Sequence, residues 1–175
     1  LLLNSITVDS VSTSEDSLGL DVNETSAITS LLVGNITPVA IASGRSLSGG
    51  ITVTAGSLKL TEQGTLASAI SMSGGTLAAE KSLTVSGALT QSGNITIDVA
   101  DTKTLTFSTG EIRTESYQLT LAGAGTIAFP ANASGIVVND AAGLLKLEGT
   151  GTLGAAEVTA ASDVGKGLAV NTSST

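Results

Sequence analysis

Residues 101–110 read DTKTLTFSTG, in which Leu105 and Phe107 alternate with threonine after a charged lead-in and before a glycine. The phrase recurs as EKSLTVSG (80–87), SYQLTLAG (116–123) and GLLKLEG (143–149), and more loosely as GGITVTAG (49–56) and SLKLTEQG (57–64). Apolar residues at every second position, with threonine or lysine between them, indicate a half-buried β-strand. Glycine suits the corner that follows, because it accepts backbone angles that other residues avoid. Each copy therefore predicts one short strand and its corner.

The same alternation runs through most of the chain. Paired apolar positions occur at 51/53, 58/60, 70/72, 83/85, 95/97, 105/107, 119/121, 127/129, 136/138 and 145/147, with single apolar anchors between them at Leu66, Leu77, Leu89, Ile112 and Leu153. An inward-facing residue thus arrives about every six to eight positions, and three such strands make a repeat of about 20–25 residues, within the range of solenoid proteins. The pattern predicts an all-β fold, a parallel β-helix (β-solenoid) with short strands and Gly or Asn at the corners.

The core of such a fold must be aliphatic here. Hydrophobic residues make up 41% of the chain but aromatic residues only 2%, with one Tyr, two Phe and no Trp. Leu, Ile and Val stack well in the narrow interior of a β-helix, whereas we expect rings to be too bulky to recur from turn to turn. Charged residues make up only 13%, so hydroxyl and backbone groups dominate the polar surface, which suits an extracellular wall or fibre.

Charge and cysteine content narrow the partners and the compartment. Fifteen acidic and seven basic side chains give a net charge of -8, which disfavours nucleic acid and anionic membrane surfaces. No apolar run reaches the roughly 18 residues of a transmembrane segment. The absence of Cys excludes disulfides and thiolate metal sites, and is compatible with export through an oxidising space. We expect an extracellular or cell-surface protein whose partner is itself, through end-to-end or lateral assembly, or a host or neighbouring cell surface.

The first 45 residues differ from the rest. Five acidic residues precede the first basic residue, Arg45, and tight glycine corners are fewer. We expect a single domain in which residues 1–45 form an acidic N-terminal cap or an exchanged segment, and residues 46–175 form the solenoid repeats. Open ends of a solenoid expose unpaired backbone, so they must be capped, continued or polymerised.

Two stretches, SGGTLAAEKSLTVSGAL (73–89) and DTKTLTFSTG (101–110), resemble the passenger regions of bacterial autotransporters and related haemagglutinin-like adhesins. Gly-Thr-Leu and Lys-Ser/Thr-Leu-Thr phrases are frequent in those proteins, and here they cover about residues 45–155. FPAN (129–132) and GGTL (74–77) also resemble repeats of chlamydial surface proteins of this class. The resemblance implies a right-handed β-helix that is exposed on a cell surface and acts in adhesion.

Catalytic chemistry has little support in the sequence. Histidine is absent, which excludes Ser-His-Asp and Cys-His arrangements in their usual form. The enzyme alternative is a carbohydrate-active β-helix, either a polysaccharide lyase or a phage tailspike-like protein, which needs carboxylates and basic residues on one face. The charged stretch that offers such groups contains Asp98, Asp101, Lys103, Glu111, Arg113 and Glu115. Solvated outward positions are the simpler interpretation of these residues, and Tyr117 alone is a poor platform for stacking a sugar.

We therefore expect no catalytic residue, no cofactor and no metal site, since calcium-binding repeats and loops are absent from the sequence as well. The N-glycosylation pattern is matched at Asn23, Asn35, Asn94, Asn132 and Asn171. Asparagine at a corner is the simpler interpretation of these matches. The sequence favours a non-enzymatic structural or adhesive β-solenoid, which is either an adhesin passenger segment or the subunit of a self-assembling extracellular fibre.

Overall fold

The computed structural model consists of β-strands joined by short corners, and no helix occurs in the part of the chain that it describes. It describes residues 2–3, 7–13, 20–22, 27–33, 38–41, 50–61, 63–109, 111–130, 135–138, 143–148, 150–154, 158–160 and 168–170. Side chains are described within 32–33, 50–61, 63–109, 111–130, 135–138, 143–148 and 150–153. The strands are β1 (Leu2–Leu3), β2 (Thr7–Thr13), β3 (Leu20–Val22), β4 (Ala27–Val33), β5 (Pro38–Ile41), β6 (Ile51–Val53), β7 (Ser57–Leu60), β8 (Gly64–Leu66), β9 (Ile70–Met72), β10 (Thr76–Ala79), β11 (Leu83–Val85), β12 (Leu89–Gln91), β13 (Ile95–Val99), β14 (Thr104–Phe107), β15 (Glu111–Arg113), β16 (Gln118–Gly123), β17 (Thr126–Ala128), β18 (Gly135–Val138), β19 (Leu144–Leu147), β20 (Thr152–Gly154), β21 (Val158–Ala160) and β22 (Leu168–Val170).

The strands form four parallel sheets. Sheet A has the order β1-β3-β5-β7-β10-β13-β16-β19-β22, sheet B β12-β9-β6-β4-β2, sheet C β20-β17-β14-β11-β8 and sheet D β15-β18-β21. From β7 onwards each turn visits sheet A, then sheet C, then sheet B or sheet D. Within each sheet, a strand therefore pairs with the equivalent strand one turn away, as β10 does with β7 and β13. This is the predicted parallel β-solenoid, and four complete turns separate β7 from β19.

The interior is the predicted aliphatic stack. Every apolar position identified from the sequence is buried, except Leu147 and Leu153, which are partly buried and pack against the core. Burial alternates along the strands, so that Leu58 and Leu60 are buried while the lysine between them is half-buried. Successive turns stack like on like, because strands in register place equivalent side chains about 4.8 Å apart. Along sheet A the stacked residues are Leu58, Leu77, Ile97, Leu121 and Leu147.

Turn length divides the solenoid into two regions. Because positions 58, 77, 97, 121 and 147 stack in register, successive turns contain 19, 20, 24 and 26 residues. We call residues 58–97 the short turns and residues 97–147 the long turns. Most of the added residues lie on the two sides of sheet D. Inward-facing residues are six positions apart at 83, 89 and 95, seven apart at 105, 112 and 119, and nine apart at 127, 136 and 145.

The long turns enclose the two phenylalanines. Phe107 and Phe129 stack in adjacent turns, with ring centroids 5.7 Å apart and ring planes 26° apart. The expectation that rings do not recur from turn to turn is therefore wrong. In the preceding short turn the equivalent inward position is occupied by Val85, which pairs in register with Phe107. We call such a column of stacked, equivalent side chains a file. A longer perimeter encloses a wider interior, which gives the rings their space.

Glycine and asparagine serve corners, as predicted. Gly75 has a φ of 79°, and a Cβ there would lie 2.8 Å from the carbonyl oxygen of Gly56 in the preceding turn. An L side chain at this position would be strained and would also strike backbone, so glycine is required. Asn94 lies at another corner, where its Oδ1 accepts a hydrogen bond of 2.9 Å from the N–H of Gln118 in the next turn.

Strands on either side of residue 45 pair in register, β4 with β6 and β5 with β7. The division into a cap (1–45) and repeats (46–175) stays a prediction, as does the right-handed winding. Within the described ranges, no helix is long and apolar enough to cross a membrane.

Candidate functional site

Half of the charged stretch singled out in the sequence gathers beside β15, namely Glu111, Arg113 and Glu115. The other three residues lie elsewhere. Asp98 is on the outer face of sheet A in β13, while Asp101 and Lys103 lie at the corner that leads to β14. The structure thus places two carboxylates next to one guanidinium, and it separates them from the remaining charges.

These three residues lie where the lateral wall of the solenoid is interrupted. β15 follows β12 by one turn, and their Cα atoms come within 8 Å of one another, yet sheet B ends at β12 and sheet D begins at β15. β12 belongs to a short turn and β15 to a long turn. One added residue lies on each side of β15, between positions 105 and 112 and between 112 and 119, and this strand does not continue the ladder of β12.

The interruption leaves backbone groups of β12 facing a gap. The carbonyl oxygen of Ala88 accepts a hydrogen bond of 2.8 Å from the N–H of Ile70, so the backbone of Ala88 points towards β9. Alternate backbone groups of a strand point to opposite neighbours. The N–H and C=O groups of Leu89 and Gln91 therefore point towards β15, where no strand pairing meets them.

The strand β15 likewise has backbone groups that face the gap. The N–H of Thr114 donates a hydrogen bond of 3.0 Å to the carbonyl oxygen of Val137, so the backbone of Thr114 points away from β12. By the same alternation, the backbone groups of Glu111 and Arg113 point towards β12. Two strand edges thus face each other across the gap, each with hydrogen-bonding groups that no ladder pairs.

Gln91 marks the point of change inside the core. It occupies the inward file after Val53 and Met72, and it is only 4% exposed. Its Nε2 donates to the carbonyl oxygen of Gly93 at 3.0 Å and to that of Gln118 at 2.9 Å. The side chain therefore supplies Gly93 with a donor where the next strand supplies none. Within the described residues, Gln91 Oε1 has no hydrogen-bond partner.

A cleft of about 230 Å³ lies at the gap. We call it the step cleft, and its walls are formed by Ala88, Leu89, Thr90, Gln91, Thr109, Glu111, Arg113 and Glu115. Arg113 Nε donates to Glu111 Oε1 at 2.7 Å, and the two side chains are 51% and 35% exposed. The hydrogen bond and the charge of Glu111 raise the pKa of the Arg113 guanidinium, and the charge of Glu115 adds to this. Glu115 has a φ of 48°, a left-handed backbone conformation that is uncommon for a residue with a side chain.

The step cleft offers donors and acceptors of hydrogen bonds above a small apolar floor. Among the described side chains, no group of three His, Cys, Asp or Glu residues could hold an ion. The charged groups of Glu111 and Arg113 are in contact with solvent.

The sequence did not point to Thr90, Gln91 or Thr109 as members of a site. Their signal is indirect, because it lies in the spacing of inward residues, which changes from six positions to seven between the turn of Leu89 and that of Ile112. A change in turn length implies a mismatch between neighbouring strands, and a mismatch creates a recess.

The remaining walls carry ladders of hydroxyl groups. In-register threonines and serines lie on sheet A at Thr76, Thr96 and Thr120, on sheet B at Thr52, Ser71 and Thr90, and on sheet C at Thr65, Thr84 and Thr106. One ion pair joins neighbouring turns on sheet A, where Lys59 Nζ lies 2.8 Å from Glu80 Oε1. Another joins Lys146 to Glu148.

Among the N-glycosylation matches, Asn94 is described and exposed. Asn23, Asn35, Asn132 and Asn171 lie outside the described residues.

Comparison of the chain with protein-family models, with curated proteins and with solved structures gives no match.

Proposed function

We propose that this chain is a non-enzymatic, extracellular structural or adhesive β-solenoid, either an adhesin passenger segment or the subunit of a fibre. The observation that supports this most is the continuous stack of aliphatic side chains through four turns. Each turn extends such a stack by about 4.8 Å, so chain length is converted into a stiff rod. A rod of this kind holds contact surfaces away from the point at which it is attached.

The outer walls support the same proposal. Short in-register ladders of Thr and Ser run along parts of sheets A, B and C. Hydroxyl groups bind water and polar partners without the strong repulsion that a dense negative surface would produce. Within the part of the chain that the structure describes, β1 and β22 are the outermost strands of sheet A, and addition of another copy by β-augmentation is the route of assembly that a fibre subunit would use.

A carbohydrate-active enzyme is the second candidate, because Glu111 and Glu115 lie beside Arg113 in one cleft. Two carboxylates and a basic residue are the minimum that lyases or glycosidases need.

Two measurements test the proposal. Polysaccharides of varied composition are incubated with the purified chain, and we expect no release of reducing ends or unsaturated products. Release that is abolished by Glu111→Gln would contradict the proposal and support the enzyme. Electron microscopy then separates its two forms: end-to-end filaments indicate a fibre subunit, and discrete rods indicate an adhesin segment. Particles of neither shape would contradict both forms.

A further inference from the structure

We propose that the step cleft is a binding site for a neutral sugar residue of a glycan. The inference rests on the adhesive form of the proposed function and specifies the partner. It follows from the interruption between β12 and β15, which converts a closed wall into a recess lined by hydrogen-bonding groups.

The backbone of the two strand edges requires partners. Leu89 and Gln91 are 7% and 4% exposed, and their N–H and C=O groups face a strand that does not pair with them. Polar backbone groups in such a position are almost always satisfied by water or by a ligand. The cleft volume of about 230 Å³ has room for a cluster of water molecules. A sugar ring replaces such a cluster well, because each hydroxyl both donates and accepts.

The side chains suit the same ligand. The guanidinium of Arg113 and the carboxylate of Glu111 are already held together at 2.7 Å, so their remaining donors and acceptors have fixed directions. Thr90 and Thr109 add hydroxyl groups, while Ala88 supplies a small apolar contact for the C–H face of a ring. A small apolar floor with a few convergent polar groups is typical of small-molecule sites.

Other occupants fit less well. A cation would compete with Arg113 for Glu111. An anionic sugar would meet the carboxylates of Glu111 and Glu115, in a chain whose net charge is -8. A neutral sugar avoids both conflicts.

The test uses saturation-transfer NMR and isothermal titration with the methyl glycosides of glucose, galactose and mannose, and with sialic acid as the anionic comparison. We expect at least one neutral glycoside to bind. The double variant Glu111→Gln with Arg113→Gln should weaken that binding at least about tenfold, because hydrogen bonds to charged groups are lost. Thr90→Val, which keeps the branched shape, should weaken it less. The matched control is Lys59→Gln with Glu80→Gln, an exposed ion pair on another wall, which should bind like the parent chain.

Several results would overturn the inference: no neutral glycoside binds, sialic acid binds more tightly than all of them, or the cleft variant binds as well as the parent. Equal loss in the control variant would also overturn it, since binding would then follow surface charge in general. Adhesion of protein-coated beads to cells distinguishes failure of the cleft inference from failure of the proposed function. If parent and cleft variant adhere equally to cells, the cleft inference fails and the adhesive role stands. If the parent chain neither adheres nor forms rods or filaments, the proposed function fails.

Discussion

In the short turns, Leu77 stacks between Leu58 and Ile97 and has no exposed surface. At the far end of the same file, in the last of the long turns, Leu147 is only partly buried. Both regions use one strand phrase and one set of sheets, and they differ by five to seven residues per turn when the 19-residue turn is the reference. The apolar alternation therefore determines which strands stack. The number of residues at the corners determines which side chains the interior accommodates and where the wall is interrupted.

Removing a central side chain of the short turns should lower the free energy of unfolding more than the other changes described below. Leu77→Ala should lower the free energy of unfolding by about 2–5 kcal/mol, because a tight aliphatic stack collapses poorly around a cavity. The matched variant is Leu147→Ala, in the same file of sheet A but partly exposed, and its cost should be smaller. Urea unfolding followed by circular dichroism measures both. Because repeat proteins can unfold in parts, the transition midpoints are compared as well as the fitted energies.

An equal or greater loss for Leu147→Ala would contradict the comparison. It would mean that Leu147 is packed as tightly as Leu77, although its side chain is only partly buried.

A second prediction concerns ring size. Val85 and Phe107 occupy one file in neighbouring turns, so their side chains can be exchanged. Val85→Phe should cost about 1–3 kcal/mol, because a short turn has no room for a ring. Phe107→Val should cost a similar amount or more, through the cavity and the lost stacking on Phe129. The measurement is again the free energy of unfolding, with near-ultraviolet circular dichroism to report on ring packing.

The double exchange provides the control. It restores the composition of the core but places the ring in the wrong turn, so we expect it to remain less stable than the parent chain. A double variant as stable as the parent would show that both regions accept either side chain.

The fold was predictable because its signal is local and repeated. The alternation of Ile51 and Val53 predicts a strand as clearly as that of Leu145 and Leu147 does. A parallel stack lets a series of such short strands pair and bury their apolar side chains. The stacking of Phe107 on Phe129 was not predictable in the same way. It depends on the width of the interior, which is the combined result of corners on several sides of one turn.

The candidate site was predictable only in part. The charged stretch led to Arg113 and its two neighbouring glutamates, but residues of the preceding turn complete the cleft. Thr90 and Gln91 are separated from Arg113 by one turn of chain, and their approach depends on which strands stack. Gln91 looks like an outward polar residue in the sequence, since only the alternation after Leu89 places it inside. Contacts between turns require the register, and no single register follows from the sequence across the change in turn length.

The two ion pairs should contribute least to the free energy of unfolding. One pair joins two turns, whereas the other lies within a single strand. Lys59 and Glu80 lie in successive turns, so Glu80→Gln should lower the free energy of unfolding slightly, by less than about 1 kcal/mol, since both side chains are substantially exposed. Salt at high concentration should abolish the difference, because it screens exposed charges. Glu111 and Arg113 are two residues apart in β15, so their pairing links no turns and Glu111→Gln should leave the unfolding midpoint unchanged. A double-mutant cycle with Lys59→Gln isolates the pairwise term. A coupling energy between Lys59 and Glu80 that persists at high salt would contradict the solvent screening expected for exposed side chains. A lower unfolding midpoint in Glu111→Gln would show that the Glu111–Arg113 pair also stabilises the fold.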